Sequence, residues 1–106
     1  MNATETAIQL AYRRIVGAQV EAVIPAGGAP SLALSSGHKI RFDGFTNPGV
    51  LAPFVGATIV GAVPGGHPDI VAIVFHGGKL PSPANIEVLA KPLVAALESG
   101  EVYASA

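Results

Sequence analysis

His38, His67 and His76 are the side chains of this chain best suited to hold a metal or move a proton near neutral pH. A metal site needs them, or acidic partners, to converge. Their spacing forms neither His-x-His nor His-Glu-x-x-His, and no cysteine is present to complete a ligand set. His38 and His67 fall in turn-rich stretches, where a solvated ring is the ordinary outcome. His76 ends an apolar run, and strand ends often line pockets. Together with His67, Asp69 and Lys79 it makes the polar set expected of a small enzyme or ligand-binding domain with its pocket near His76. No metal and no cofactor is implied.

Val74-Phe75-His76-Gly77-Gly78 resembles the oxyanion-hole segment of lipases and esterases in the α/β-hydrolase family. That resemblance implies acyl transfer, which also needs a Gly-x-Ser-x-Gly elbow followed by an acid and a histidine. The stretch after Gly78 contains no elbow and no further histidine. A strand ending in a glycine turn accounts for the motif. The other glycine pairs, Gly27-Gly28 and Gly65-Gly66, lack the lysine and Ser/Thr of a phosphate-binding loop and the spacing of a dinucleotide site. They are expected to supply positive φ at turns. The seven acids are Glu5, Glu21, Asp43, Asp69, Glu87, Glu98 and Glu101, and they fall mostly on polar faces.

A different constellation points to contact rather than catalysis. Three of the four phenylalanines, Phe42, Phe45 and Phe54, lie close together. Pro48, Val50, Leu51, Pro53 and Val55 share that stretch, with Asp43 its only charge. Such a segment either folds back over a sheet or offers an apolar docking surface, for which Phe45, Val50, Leu51 and Phe54 are the candidate interface residues.

Composition favours contact. Hydrophobic residues make up 50% of the chain and charged ones 12%, about half the usual share. So few ionic groups leave apolar surface to be covered by another chain. With a net charge of −1 and basic residues scattered as Arg13, Arg14, Lys39, Arg41, Lys79 and Lys91, there is no footprint for a nucleic-acid backbone. The run Val50 to Val63 is broken by Pro53, Gly56 and Gly61 and is too short to span a bilayer. The start, Met1 to Glu5, has no basic and apolar leader. The expectation is a cytoplasmic protein, or part of a particle assembled in the cytoplasm, with neither nucleic acid nor membrane as partner.

The elements that would position these residues can be read from periodicity. Asn2 and Glu5 form a capping pair. Ile8, Ala11, Tyr12 and Ile15 then make a helical stripe ending at Gly17. Gln19 to Ile24 alternates as a strand with Val20, Ala22 and Ile24 inward. Leu32 to Leu34 and Lys39 to Phe42 read as a hairpin around Ser35-Ser36-Gly37. Ala57 to Val63 and Asp69 to Phe75 read as an antiparallel pair, the second apolar on both faces and therefore central. Ser82-Pro83 resembles a helix start, and Ile86, Leu89, Ala90, Leu93 and Leu97 form a stripe to Gly100 that Pro92 should kink. Alternation of Ile86, Val88 and Ala90 would instead make its first part a strand; the longer stripe favours helix. Glu101 to Ser105 suits a short last strand.

The expected fold is α+β over one domain, 1–106. It has one small, mostly antiparallel sheet of about five strands, an N-terminal amphipathic helix and a C-terminal Pro-kinked helix. The expected function is a non-enzymatic assembly subunit that joins copies of itself or other protein subunits through apolar contacts. A homo-oligomer fits, as does a virion component such as a capsid decoration or joining protein. The enzyme or ligand-binding reading around His76 is the alternative.

Overall fold

A computed structural model describes residues 2–25, 30–42 and 48–104. Helix α1 spans Ala3–Arg14 and is capped as its sequence requires: Asn2 Oδ1 accepts the Glu5 amide at 2.9 Å. Its buried stripe is Thr4, Ala7, Ala11 and Ile15, while Tyr12 is 52% exposed. The helix is thus rotated from the expected face. Two alanines on the inward side let it lie close against α3 (Ala90–Ser99), which offers Leu93, Ala96 and Leu97 to the same core.

Strands β1 (Val20–Ile24), β2 (Ser31–Leu34) and β3 (Lys39–Phe42) form one antiparallel meander. The pairing slips between Val20 and Ala22, a β-bulge at Glu21. A bulge reverses which side chains point inward. Val23 therefore packs towards the core opposite Leu32, and Ala22 and Ile24 face out, contrary to the simple alternation.

Helix α2 (Pro48–Leu51) and a 3-10 turn (Ala52–Phe54) lead into a second antiparallel meander: β4 (Ala57–Pro64), β5 (Ile70–Gly77) and β6 (Ala84–Leu89). β5 is central here, as expected. Val71, Ile73 and Phe75 are fully buried on one face, and Ile70, Ala72 and Val74 lie on the other.

β6 corrects the sequence reading. Ala84 to Leu89 is strand rather than helix, and α3 begins only at Ala90. β6 pairs with β5 along its length, with Ile86 and Val88 inward and Asn85, Glu87 and Leu89 outward. The period-two signal wins because a neighbouring strand is there to satisfy the backbone. Pro92 then falls in the first turn of α3, where a missing N–H costs nothing, and no kink is needed.

β7 (Glu101–Ala104) runs parallel to β3 and meets β6 at Val88↔Ala104. The α+β class stands. In place of one antiparallel sheet of about five strands there are two antiparallel three-stranded sheets, with β7 along their junction in the order β1-β2-β3-β7-β6-β5-β4. At the far side, the chain leaving α1 ties to the start of β4. Gly17 N donates to Ile59 O and Ile59 N donates to Ala18 O, at 2.8 and 2.9 Å. Both sheets and both long helices contribute to one buried cluster.

The glycine turn after β5 is a packing requirement. Gly78 has φ +60°, and a Cβ there would lie 2.7 Å from both Ala57 N and Val55 O. Gly65 is constrained differently: without a positive φ, it is crowded by the Ile70 side chain. Gly27 and Gly28 lie outside the described residues. Gly78→Ala should therefore lower stability by at least about 2 kcal/mol, from left-handed backbone and backbone collision together. Gly66→Ala, with open space around its Cβ, should stay within about 0.5 kcal/mol. Thermal or urea unfolding of the two variants checks the pair.

Candidate functional site

The four polar residues proposed around a pocket do not gather. His67 and Asp69 sit in the turn before β5, and His76 and Lys79 sit at and beyond its other end. A strand rises about 3.3 Å per residue, so Asp69 and His76 are roughly 23 Å apart along it. All four side chains are exposed. The structural use of this turn lies in its backbone. The Asp69 carbonyl accepts the Ala90 amide at 2.8 Å and seats the start of α3, and the Pro68 carbonyl accepts the Thr4 hydroxyl.

His38, expected to be a solvated ring, is a tie between two elements. Its Nε2 lies 3.0 Å from the Leu97 carbonyl near the end of α3, and its Nδ1 lies 3.0 Å from Ser36 Oγ. A carbonyl can only accept, so Nε2 carries the hydrogen. The ring thereby satisfies a carbonyl of the last helical turn and holds the β2–β3 turn against it. Beside it, Lys39 N donates to Gly100 O at 2.8 Å, so the turn is fixed to the end of α3 twice. Among the described residues, no three His, Cys, Asp or Glu side chains are grouped to hold a metal.

The apolar segment expected to dock a partner is mostly folded inward. Leu51 is 3% exposed. Phe54 packs edge-on against Phe75, with ring centroids 5.3 Å apart and planes at 88°, a favourable aromatic geometry. Of the three described candidates Val50 alone is open, at 63% exposure. Phe45 lies outside the described residues.

Further apolar surface is exposed on the outer face of β4–β5–β6. Val63, Ile70, Ala72, Val74 and Leu89 share it, with Val63 and Leu89 exposed and Ile70 and Val74 half-buried. α1 and α3 pack into the core on the opposite face; on this one Ala72 is buried, and the Glu87 carboxylate reaches across β5 towards the Gly65-Gly66 turn. Val60 stands out at a second bulge in β4, and Val55 just before that strand is also exposed.

One shallow cleft marks the outer face and another lies where β6 meets α3. One of about 330 Å³ is lined by Val63, Pro64, Gly65, Gly66, Ala72, Asn85 and Glu87. The other, about 210 Å³, is lined by Asp69, Leu89, Ala90, Lys91 and Pro92. Glu87 is the charged side chain of the face itself, and its Oε2 lies 3.4 Å from the Gly66 amide. The signal that could have found this surface was the alternation through Ile86 and Val88, which leaves Asn85, Glu87 and Leu89 facing out.

Compared with known protein families, with curated proteins and with solved structures, the chain matches none. Among the described residues no helix is long and apolar enough to cross a membrane.

Two substitutions separate core from surface in the apolar segment. Phe54→Ala should lose about 2 kcal/mol, the lower range for a partly buried ring, and Val50→Ala less than about 0.5 kcal/mol. A third variant, His38→Ala, should lose about 1 kcal/mol by freeing the Leu97 carbonyl. Chemical denaturation measures all three; equal effects at Phe54 and Val50 would show that Phe54 is not a core contact.

Proposed function

We propose that this chain is a non-enzymatic assembly subunit that joins copies of itself, or other protein subunits of a larger particle, through apolar contact. The observation that carries this reading is the outer face of β4–β5–β6, where Val63 and Leu89 are exposed and Ile70 and Val74 half-buried around the Glu87 side chain. An apolar patch on a small domain has a reason to persist when something covers it. The low charge of the whole chain agrees, since 12% charged residues leave few groups to solubilise that face.

The manner of contact follows from the strands. β4 lies at one end of the strand order, but its outer edge is blunted. Its first residues are engaged by the chain leaving α1, its middle bulges at Val60, and it ends at Pro64. Bulges and prolines discourage edge-to-edge pairing. Side chains of the face, rather than backbone of the edge, are then the means of association.

Light scattering should give a mass well above 10.6 kDa at high protein concentration, or show binding to a particle in cell extract. Val63→Asp with Leu89→Asp should reduce that mass or release the particle. Both positions are exposed, so the melting curve should shift little. A wild-type chain that stays monomeric at every concentration and joins no particle would overturn the proposal.

A further inference from the structure

The cleft beside the β4–β5 turn is built around one carboxylate. A row of side chains crosses the outer face there, from Val63 on β4 through Ala72 on β5 to Glu87 on β6. Neighbouring strands are about 4.8 Å apart, so Val63 and Glu87 stand roughly 10 Å from each other with only a methyl group between them. That methyl group, 4% exposed, belongs to the lining of the cleft of about 330 Å³. Glu87 leans over it rather than leaving the sheet, and its Oε2 lies 3.4 Å from the Gly66 amide nitrogen in the turn. The turn leaves the carboxylate its place: a Cβ on Gly65 would lie 3.0 Å from the same oxygen.

The balance of donors and acceptors selects the ligand. Oε2 faces the Gly66 amide, and Oε1 is left to accept from something else. Asn85 lines the same cleft two residues earlier on β6, about 7 Å along the strand, and adds a side-chain carbonyl. Among the described residues no basic side chain lines the cleft, so its charge repels an anion. A hard metal ion requires several oxygen ligands, and no three ligating side chains gather among the described residues. A guanidinium pairs best with both oxygens of a carboxylate, and one is already engaged. A primary ammonium is a compact charge with three rotatable donors, which suits a single free oxygen and a neighbouring amide carbonyl.

We infer that this cleft binds a primary alkylammonium group, its charge on Glu87 Oε1 and its methylenes laid over Ala72 against Val63. The apolar stem of such a group gains by covering the methyl floor while its charged head stays at the wet margin. A free amine and a lysine side chain of another protein both carry this chemistry. The site goes beyond the assembly proposal and stands whether or not the chain associates. Because Glu87 is exposed, the ion pair is a weak one, and the dissociation constant is on the order of millimolar.

Titrating the full chain with butylammonium chloride, sodium butyrate and Nα-acetyl-lysine methylamide, followed by amide chemical shifts at constant ionic strength, tests the site. Butylammonium should move the resonances of Gly66, Ala72 and Glu87 together and saturate below roughly 50 mM, and butyrate should leave them in place. Glu87→Gln keeps the shape of the side chain and should weaken butylammonium about fivefold. If that variant fails to fold, raising salt about tenfold must weaken the wild-type site instead. Binding of the lysine derivative at least as tight as butylammonium identifies a protein lysine as the source; clearly tighter butylammonium identifies a free amine. Shifts absent at these residues, equal shifts with butyrate, or a Glu87→Gln chain that binds as wild type overturn the site and leave the assembly proposal untouched.

Discussion

The second half of the molecule depends on β5 having a strand on either side. Its sequence, Ile70 to Phe75, is apolar at every position. With β4 and β6 flanking it, its backbone hydrogen bonds are satisfied inside the sheet, and Val71, Ile73 and Phe75 can be buried without stranding a polar group. That requirement forces β6 to be strand. It also delays α3 until Ala90, where the Asp69 carbonyl at the head of β5 receives its first amide. Phe54 finds its place by the same means, because the ring it meets edge-on is Phe75. On the other face of β5 and its neighbours, Val63 and Leu89 stay exposed.

Much of this architecture was legible in the residues. The Asn2 cap, the hairpin around Ser35 to Gly37 and the central rank of Ile70 to Phe75 all follow from local chemistry and are found in place. Local pattern misleads where it meets a neighbour that it cannot reveal. The stripe through Ile86, Leu89 and Leu93 is a helical spacing, yet the first of these belongs to strand β6 and the last to helix α3. A bulge at Glu21 reversed the inward set of β1, and alternation alone carries no mark of an inserted residue.

The candidate site was less legible than the fold. Residues near each other in sequence, such as Lys79 and His76, are easily imagined as a pocket with His67 and Asp69, but an extended strand holds its two ends apart. Leu51 and Phe54 are apolar in an apolar segment, and nothing in their types distinguishes a side chain turned inward from one offered to a partner. Burial decides it: Leu51 is enclosed and Val50 beside it is not. The outer face exists only once β6 is a strand. His38 was unremarkable for a similar reason, its partner Leu97 being far along the chain.

The parallel pair of β3 and β7 bears on the order in which the chain can acquire its shape. Lys39 meets Glu101 only after two helices and three strands of intervening chain have been made. While synthesis proceeds from the N-terminus, β3 shows an open row of amides and carbonyls with no mate. Contacts between residues so distant in sequence form slowly. An unfinished strand row is also a place where nascent chains stick to one another. The last short strand thus acts as a latch, and the first meander is most vulnerable to mispairing before it closes.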